Sequence, residues 1–164
     1  MRKTHLIYLH TGSNQGDRKE FLSKANTAIQ EQIGFITKQS SLYETAAWGN
    51  TDQPDFLNQA LAIETLLSPV DLIEKVLEIE IQLGRVRTQK WGTRIIDIDV
   101  LFYEDQVIET PKLSVPHPFL QERNFVLIPL MEIAPYFEHP VLKLSIEELY
   151  LQSKDLLEVS LLST

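Results

Sequence analysis

The chain has 164 residues, 43% of them hydrophobic and 23% charged, with fifteen basic against twenty-three acidic side chains for a formal net charge of −8. This length suits one domain, read here as residues 1–164, and buries roughly two-thirds of the unfolded surface, so no metal or disulfide is needed to hold a core. With no cysteine, disulfides, zinc–thiolate sites and cysteine nucleophiles are excluded, and so acidic a chain repels nucleic acid and anionic membranes unless its bases are gathered in one place.

The apolar run Leu6 to Leu9 is interrupted by His10 and Asn14, so it is too short for a signal peptide. No apolar run approaches the ~20 residues that span a bilayer. The reading is a cytoplasmic protein.

In chain order, His5 to Leu9 reads as a first strand that ends in a tight turn, Thr11-Gly12-Ser13-Asn14. Asp17 with Glu20 makes a capping pair, and Phe21, Ala25, Ala28, Ile29 and Ile33 recur at helical spacing until Gly34 stops the helix. Phe35 to Trp48 is strand-like. A turn-rich stretch, Gly49 to Asp55, separates it from a further strand, Phe56 to Thr65. Ser68-Pro69 opens a second helix as cap and first position. Val70, Ile73, Val76 and Leu77 form its apolar stripe, and Gly84 ends it. Ile95 to Tyr103 is the most strand-like segment of the chain. A proline-rich loop (Val115-Pro116-His117-Pro118), an apolar helix over Phe125 to Ile133 and a helix capped by Ser145 and Glu148 follow.

Strand, helix, strand, strand, helix, strand predicts an α+β fold of ferredoxin-like (βαββαβ) type, an antiparallel sheet with helices on one face. Additional C-terminal helices would cover the other face or one edge. That architecture serves enzymes, RNA binders and metal carriers alike, so activity has to come from the site.

The sharpest chemical signal is Asp97-Ile98-Asp99 within a strand. Period two puts both carboxylates on one face and Ile96, Ile98 and Val100 on the other. Side-by-side carboxylates in an apolar strand are costly unless neutralised. A magnesium ion does this with one or two carboxylates, water and substrate phosphates; a solvent-washed strand face would tolerate the pair equally. Just upstream, Gly84 to Arg94 holds four bases (Arg85, Arg87, Lys90, Arg94) and no acid. Arginine forks suit phosphate oxygens, although a solvated surface loop has the same composition. Cations beside a carboxylate pair describe phosphoryl transfer. So cationic a loop, with little apolar area to pin it, is expected to act as a lid over the site. Glu80 falls near the buried stripe of its helix, where it meets a loop arginine or a substrate group, or else sits at the stripe's polar edge. His117, stiffened between two prolines, is either a phosphate donor or structural. No Walker loop, G-x-G-x-x-G or H-E-x-x-H run is present.

Taken together, Gly12-Ser13-Asn14, Gln53-Pro54-Asp55-Phe56-Leu57-Asn58, Gly84-Arg85-Val86-Arg87, Trp91-Gly92-Thr93-Arg94, Asp97-Ile98-Asp99, Val115-Pro116-His117-Pro118 and Glu122-Arg123 through Phe125 resemble the ordered motifs of the hydroxymethyldihydropterin pyrophosphokinases, over about residues 4 to 135. The resemblance implies transfer of pyrophosphate as one unit from ATP to the pterin hydroxymethyl oxygen, with release of AMP. It implies that Asp97 and Asp99 hold two magnesium ions and that Arg85 and Arg94 engage the phosphates. It puts Glu80, Trp91, Lys112, His117 and Arg123 on the ATP side, and Thr45, Phe56, Asn58 and Phe125 around the pterin. The partners implied are ATP and 6-hydroxymethyl-7,8-dihydropterin, with no nucleic acid or membrane, and the chain is expected to be a monomer. Ala46 and Trp48 depart from the family's usual proline and aliphatic residue. Two other classes share parts of the pattern. A metal-dependent nucleotidyltransferase could use Asp97 and Asp99 but would release pyrophosphate, and a ferredoxin-like binding module would leave the pair beside the basic loop unexplained.

Overall fold

The computed structural model describes residues 3–46, 54–85 and 95–162. In chain order it contains β1 (His5–Ser13), α1 (Arg18–Gln32), β2 (Gly34–Gln39), β3 (Tyr43–Thr45), β4 (Phe56–Thr65), α2 (Pro69–Gln82) and β5 (Asp97–Tyr103). There follow β6 (Ile108–Glu109), β7 (Ser114–Val115), a short 3-10 turn at Leu120–Glu122, α3 (Asn124–Ile133), α4 (Ile146–Leu151) and β8 (Val159–Leu161). It is a mixed α and β structure around an antiparallel sheet. The strand order is β5-β1-β4-β3-β8, and β2 pairs with β4 beyond β3.

Local chemistry places the helices. Asp17 accepts the Glu20 N–H at 3.1 Å to open α1, and Ser68 accepts the Asp71 N–H at 3.2 Å to open α2. Ser145 and Glu148 form a reciprocal capping box on α4, each cap satisfying amides that the first turn cannot pair internally. Gly34 does more than stop α1. It begins β2, and a Cβ there would lie 2.2 Å from the Glu64 carbonyl oxygen of β4, so only glycine allows the two strands to meet.

Strand alternation then builds two cores. Ile7, Leu9, Leu57, Leu61, Ile63, Ile96, Ile98 and Val100 face α1 and α2, where Leu22, Ala25, Ile29, Leu72, Val76 and Ile79 are buried. Tyr8, Ala60, Ala62, Leu101 and Phe102 face Val126, Leu127 and Leu130 of α3 and Ile146 and Leu149 of α4. The C-terminal helices therefore cover the second face of the sheet. A bulge lets Leu101 and Phe102 share that face: Leu9 pairs with Val100 while Tyr8 pairs with Phe102, leaving one extra residue on β5.

Three expectations are corrected. The apolar stripe of α2 is Leu72, Val76 and Ile79 with Glu80, and Val70 is 60% exposed. The first strand does not turn at Thr11 but runs on through Ser13, because it has ladder partners on both sides. The stretch from Phe35 is two strands, β2 and β3, which pair with different parts of β4.

Candidate active site

The face that carries the second core turns polar at one end. Residues opposite each other in an antiparallel ladder share a face. One row therefore runs Ala60, His10, Asp99 across β4, β1 and β5, and the next runs Asn58, Gly12, Asp97. At the centre of the second row, a Cβ on Gly12 would lie 3.4 Å from Asn58 Oδ1 and 3.7 Å from His10 Cε1. Any longer side chain would project over the floor between Asn58 and Asp97. Glycine keeps that floor low.

At the carboxylate end, Glu80 is 2% exposed and reaches from α2 to accept the Ile98 N–H at 2.8 Å. Arg85 donates to both Glu80 and Asp97, the latter at 2.8 Å. Burial, set against the Ile98 N–H and the Arg85 charge, holds the Glu80 carboxyl above its usual range. Burial also opposes the Arg85 charge, but Asp97 and Glu80 together outweigh it and raise the guanidinium further. Asp99 is pushed well above the ordinary carboxylate range by burial first, then by the Asp97 and Glu80 charges, with Arg123 and Arg85 only partly offsetting them. Among the described residues no group of three metal-binding side chains converges. What the strand presents is a pair of carboxylates on one face, with more negative charge than its arginines cancel. Such a pair suits a hard cation that brings its own water or phosphate ligands.

The wall above this floor comes from the β7–α3 region. The His117 backbone N–H donates to the Leu101 carbonyl at 3.0 Å, and its ring Nδ1 accepts the Phe119 N–H at 3.2 Å. Burial and then the Arg123 charge, against Asp97, lower its pKa to about 4, so at neutral pH the ring is uncharged and its proton sits on Nε2. The Arg123 guanidinium lies 5.1 Å from the Phe119 ring centre and 5.7 Å from that of Phe125, within cation–π range. Phe125 in turn meets His10 edge-on, with ring centres 5.7 Å apart.

His10 is the residue that sequence reasoning missed. It is 4% exposed, its Nε2 has no partner among the described residues, and burial lowers its pKa to about 4. Asp97 and the Phe125 backbone oppose that shift, and His117 and Arg123 add to it. Its signal in the sequence was period two: it stands two residues before Gly12 in the same strand, and so on the same face.

Of the residues singled out from the sequence, Glu80, Arg85, Asp97, Asp99, His117, Arg123 and Phe125 fall within one electrostatically linked group. Thr45, Phe56 and Asn58 lie along the β3–β4 ladder, Thr45 opposite Phe56 and Tyr43 opposite Asn58. Thr45 is 3% exposed and donates its hydroxyl to the Glu158 carbonyl at 3.2 Å, and the buried Asn58 donates its amide to the Tyr43 carbonyl at 3.4 Å. Lys112 is exposed on the turn between β6 and β7, and makes no side-chain hydrogen bond or ion pair among the described residues. Trp91 and Arg94, with Arg87, Lys90 and the body of the basic loop, lie outside the described residues, as does Trp48.

Comparison with known proteins identifies the family. The family model for 7,8-dihydro-6-hydroxymethylpterin-pyrophosphokinase matches residues 8–135. The chain is 44% identical over 142 residues to the 2-amino-4-hydroxy-6-hydroxymethyldihydropteridine pyrophosphokinase of Aquifex aeolicus, covering 87% of this chain and 88% of that one. It is 49% identical over 129 residues to the protein of the same name from Methylorubrum extorquens, covering 78% and 82%. Among solved structures, wild-type Plasmodium falciparum HPPK-DHPS has a TM-score of 0.72 and 19% identity, over 91% of this chain and 43% of that one. This chain thus spans less than half of that longer protein, and the likeness to it is one of fold. With most of its length matched, the chain belongs to the 7,8-dihydro-6-hydroxymethylpterin-pyrophosphokinase family.

Proposed function

We propose that the chain transfers pyrophosphate from ATP to the hydroxymethyl oxygen of 6-hydroxymethyl-7,8-dihydropterin, releasing AMP, with magnesium as its metal and two ions accompanying ATP. Family membership supports pyrophosphate transfer in folate biosynthesis. The observation that carries the finer reading is the continuous floor, with Asp97 and Asp99 at one end and Asn58 at the other across Gly12.

The carboxylate pair fits magnesium, which takes one or two carboxylates and completes its shell with water and phosphate oxygens; the charge left uncompensated at Asp99 is what a dication would neutralise. Asp97 and Asp99 would hold the metal, which would supply positive charge against the charge that develops on transfer. Arg85 keeps Asp97 paired and oriented, and its cation and that of Arg94 are suited to phosphate oxygens. Arg123 and the Nε2–H of His117 supply donors on the ATP side, joined in this reading by Glu80, Trp91 and Lys112. Phe56 and Phe125 are read as the rings that stack on the pterin, while the Asn58 amide and Thr45 hydroxyl meet its polar edge. Catalysis of this kind is positioning and charge stabilisation rather than covalent chemistry.

The same proposal extends to the frame. The antiparallel order β5-β1-β4-β2, with α1 and α2 on one face, supports a ferredoxin-like core extended by C-terminal helices. We read residues 1–164 as a single cytoplasmic, monomeric domain that binds neither nucleic acid nor membrane. The net charge of −8 supports this, and no helix among the described residues is long and apolar enough to cross a membrane.

Incubation with Mg-ATP and the hydroxymethyldihydropterin should yield AMP and the pterin pyrophosphate in equal amounts. Free pyrophosphate in place of AMP would point to nucleotidyl transfer, and pterin binding without turnover to a binding module.

A further inference from the structure

The segment after α4 crosses from one wall of the site to the other. α3 is preceded by Arg123, an extended residue at the cap position whose side chain caps nothing, since a guanidinium has no acceptor to offer a helix N–H. The cap comes from elsewhere: Asp155 Oδ2 accepts the Asn124 N–H at 2.8 Å, and the Asn124 side-chain amide donates to the Asp155 carbonyl at 3.4 Å. Asp155 is itself held. Its N–H donates to the Ser153 hydroxyl at 3.2 Å, and its Oδ1 accepts the Leu157 N–H at 3.0 Å. A carboxylate in this position satisfies an orphan amide and complements the helix dipole, and it does so on the one residue between Arg123 and Phe125. At the far end of the segment, β8 pairs with β3, Val159 opposite Thr45 and Leu161 opposite Tyr43. Glu158 accepts the Thr45 hydroxyl, and the Leu162 N–H donates to the Leu42 carbonyl at 2.9 Å. The segment itself, residues 153–162, lies beyond residues 8–135, which the family model matches.

We propose that residues 155–161 form a strap that sets the separation between the Thr45–Asn58 wall and the Arg123–Phe125 wall, with Asp155 as a positioning residue for the pterin. The proposal rests on the functional reading above. Asp155 touches no substrate; it acts by fixing the first turn of α3, and so the direction in which Phe125 leaves it.

The test is the pterin Kd by fluorescence titration, with a non-hydrolysable ATP analogue present, together with steady-state kinetics at a temperature where each variant is folded. Asp155→Ala should raise the pterin Kd and KM about tenfold, equal to ~1.4 kcal/mol, while kcat changes less than about threefold. Asp155→Asn keeps a weaker, uncharged acceptor and should fall between the parent and Asp155→Ala; it carries the test if the alanine variant does not fold. Ser145→Ala removes the capping box of α4 and serves as the structural control: Tm should fall while the pterin Kd stays within about twofold. The graded order of the two Asp155 variants with an unmoved control supports the strap. Asp155 variants that lose Tm but keep the parent's pterin Kd overturn it, and a parent that binds no pterin overturns the functional reading beneath it.

Discussion

The two faces of the sheet are built from the same strands one residue out of phase, and they end differently. Under α1 and α2 the face is sealed: Leu9, Leu57, Ile96 and Ile98 are all 4% exposed or less, and its few polar residues, Thr11, Ser13 and Gln59, are buried with them. Under α3 and α4 it is apolar only as far as Ala60 and Leu101, after which the same ladder presents His10, Gly12, Asn58, Asp97 and Asp99. One face spends its residues on stability. The other gives up burial at one end, and the raised Asp99 pKa marks carboxylates held against their own preference, as functional sites commonly are. The contrast teaches that the fold separates its stabilising and reacting surfaces by a single residue of strand phase.

The largest effect should come from the reacting face. Asp97→Asn and Asp99→Asn are each expected to cut turnover at least about a hundredfold, ~2.7 kcal/mol, with the far-UV circular dichroism unchanged. Turnover within about tenfold of the parent in either variant would remove the metal role. Because the folded protein resists ionising Asp99, its charge weakens folding once pH exceeds the unfolded pKa. Asp99→Asn should therefore match or exceed the parent's Tm at pH 7 in magnesium-free buffer. On the other face the pattern should invert. Ile29→Ala, at a fully buried position of α1, should cost about 2–5 kcal/mol of stability by urea unfolding. KM and kcat of the folded variant should stay within about threefold of the parent; a comparable loss of activity would show that the faces are coupled.

The smallest effect sharpens the boundary between them. His10 is lowered to about 4 in the folded protein, against 6.5 ordinarily, by burial with His117 and Arg123, over the opposition of Asp97 and the Phe125 backbone. Between those values the unfolded chain takes up a proton that the folded one refuses, so this contribution falls as pH drops from 6.5 to 4 and is level below. The parent should lose about 1–3 kcal/mol more than His10→Gln over that window. Urea midpoints at pH 7, 5.5 and 4.5 measure it. Parallel curves would mean that His10 accepts its proton inside the fold.

Much of this was legible because the physics involved is short-ranged. The caps at Asp17, Ser68 and Ser145 each bond a residue three positions on, and the shared face of Asp97 and Asp99 follows from strand period alone. The α2 stripe was misplaced because Val70 and Leu72 are both apolar, and only the docking of the helix against the sheet decides that Leu72 is sealed while Val70 faces water. Glu80 could be placed near a buried stripe, but not on the Ile98 amide of a strand eighteen positions away. His10 read as an interruption of an apolar run until β5 and α3 closed around it, and Asp155 had no reading at all, since its partner is thirty-one residues distant. Sequence by itself determined the elements, their caps and the residue types that chemistry requires, because neighbours in the chain settle those. Which polar groups meet, and which are buried enough to have their charges shifted, was decided by tertiary structure, because register and helix docking bring together residues that local order keeps apart.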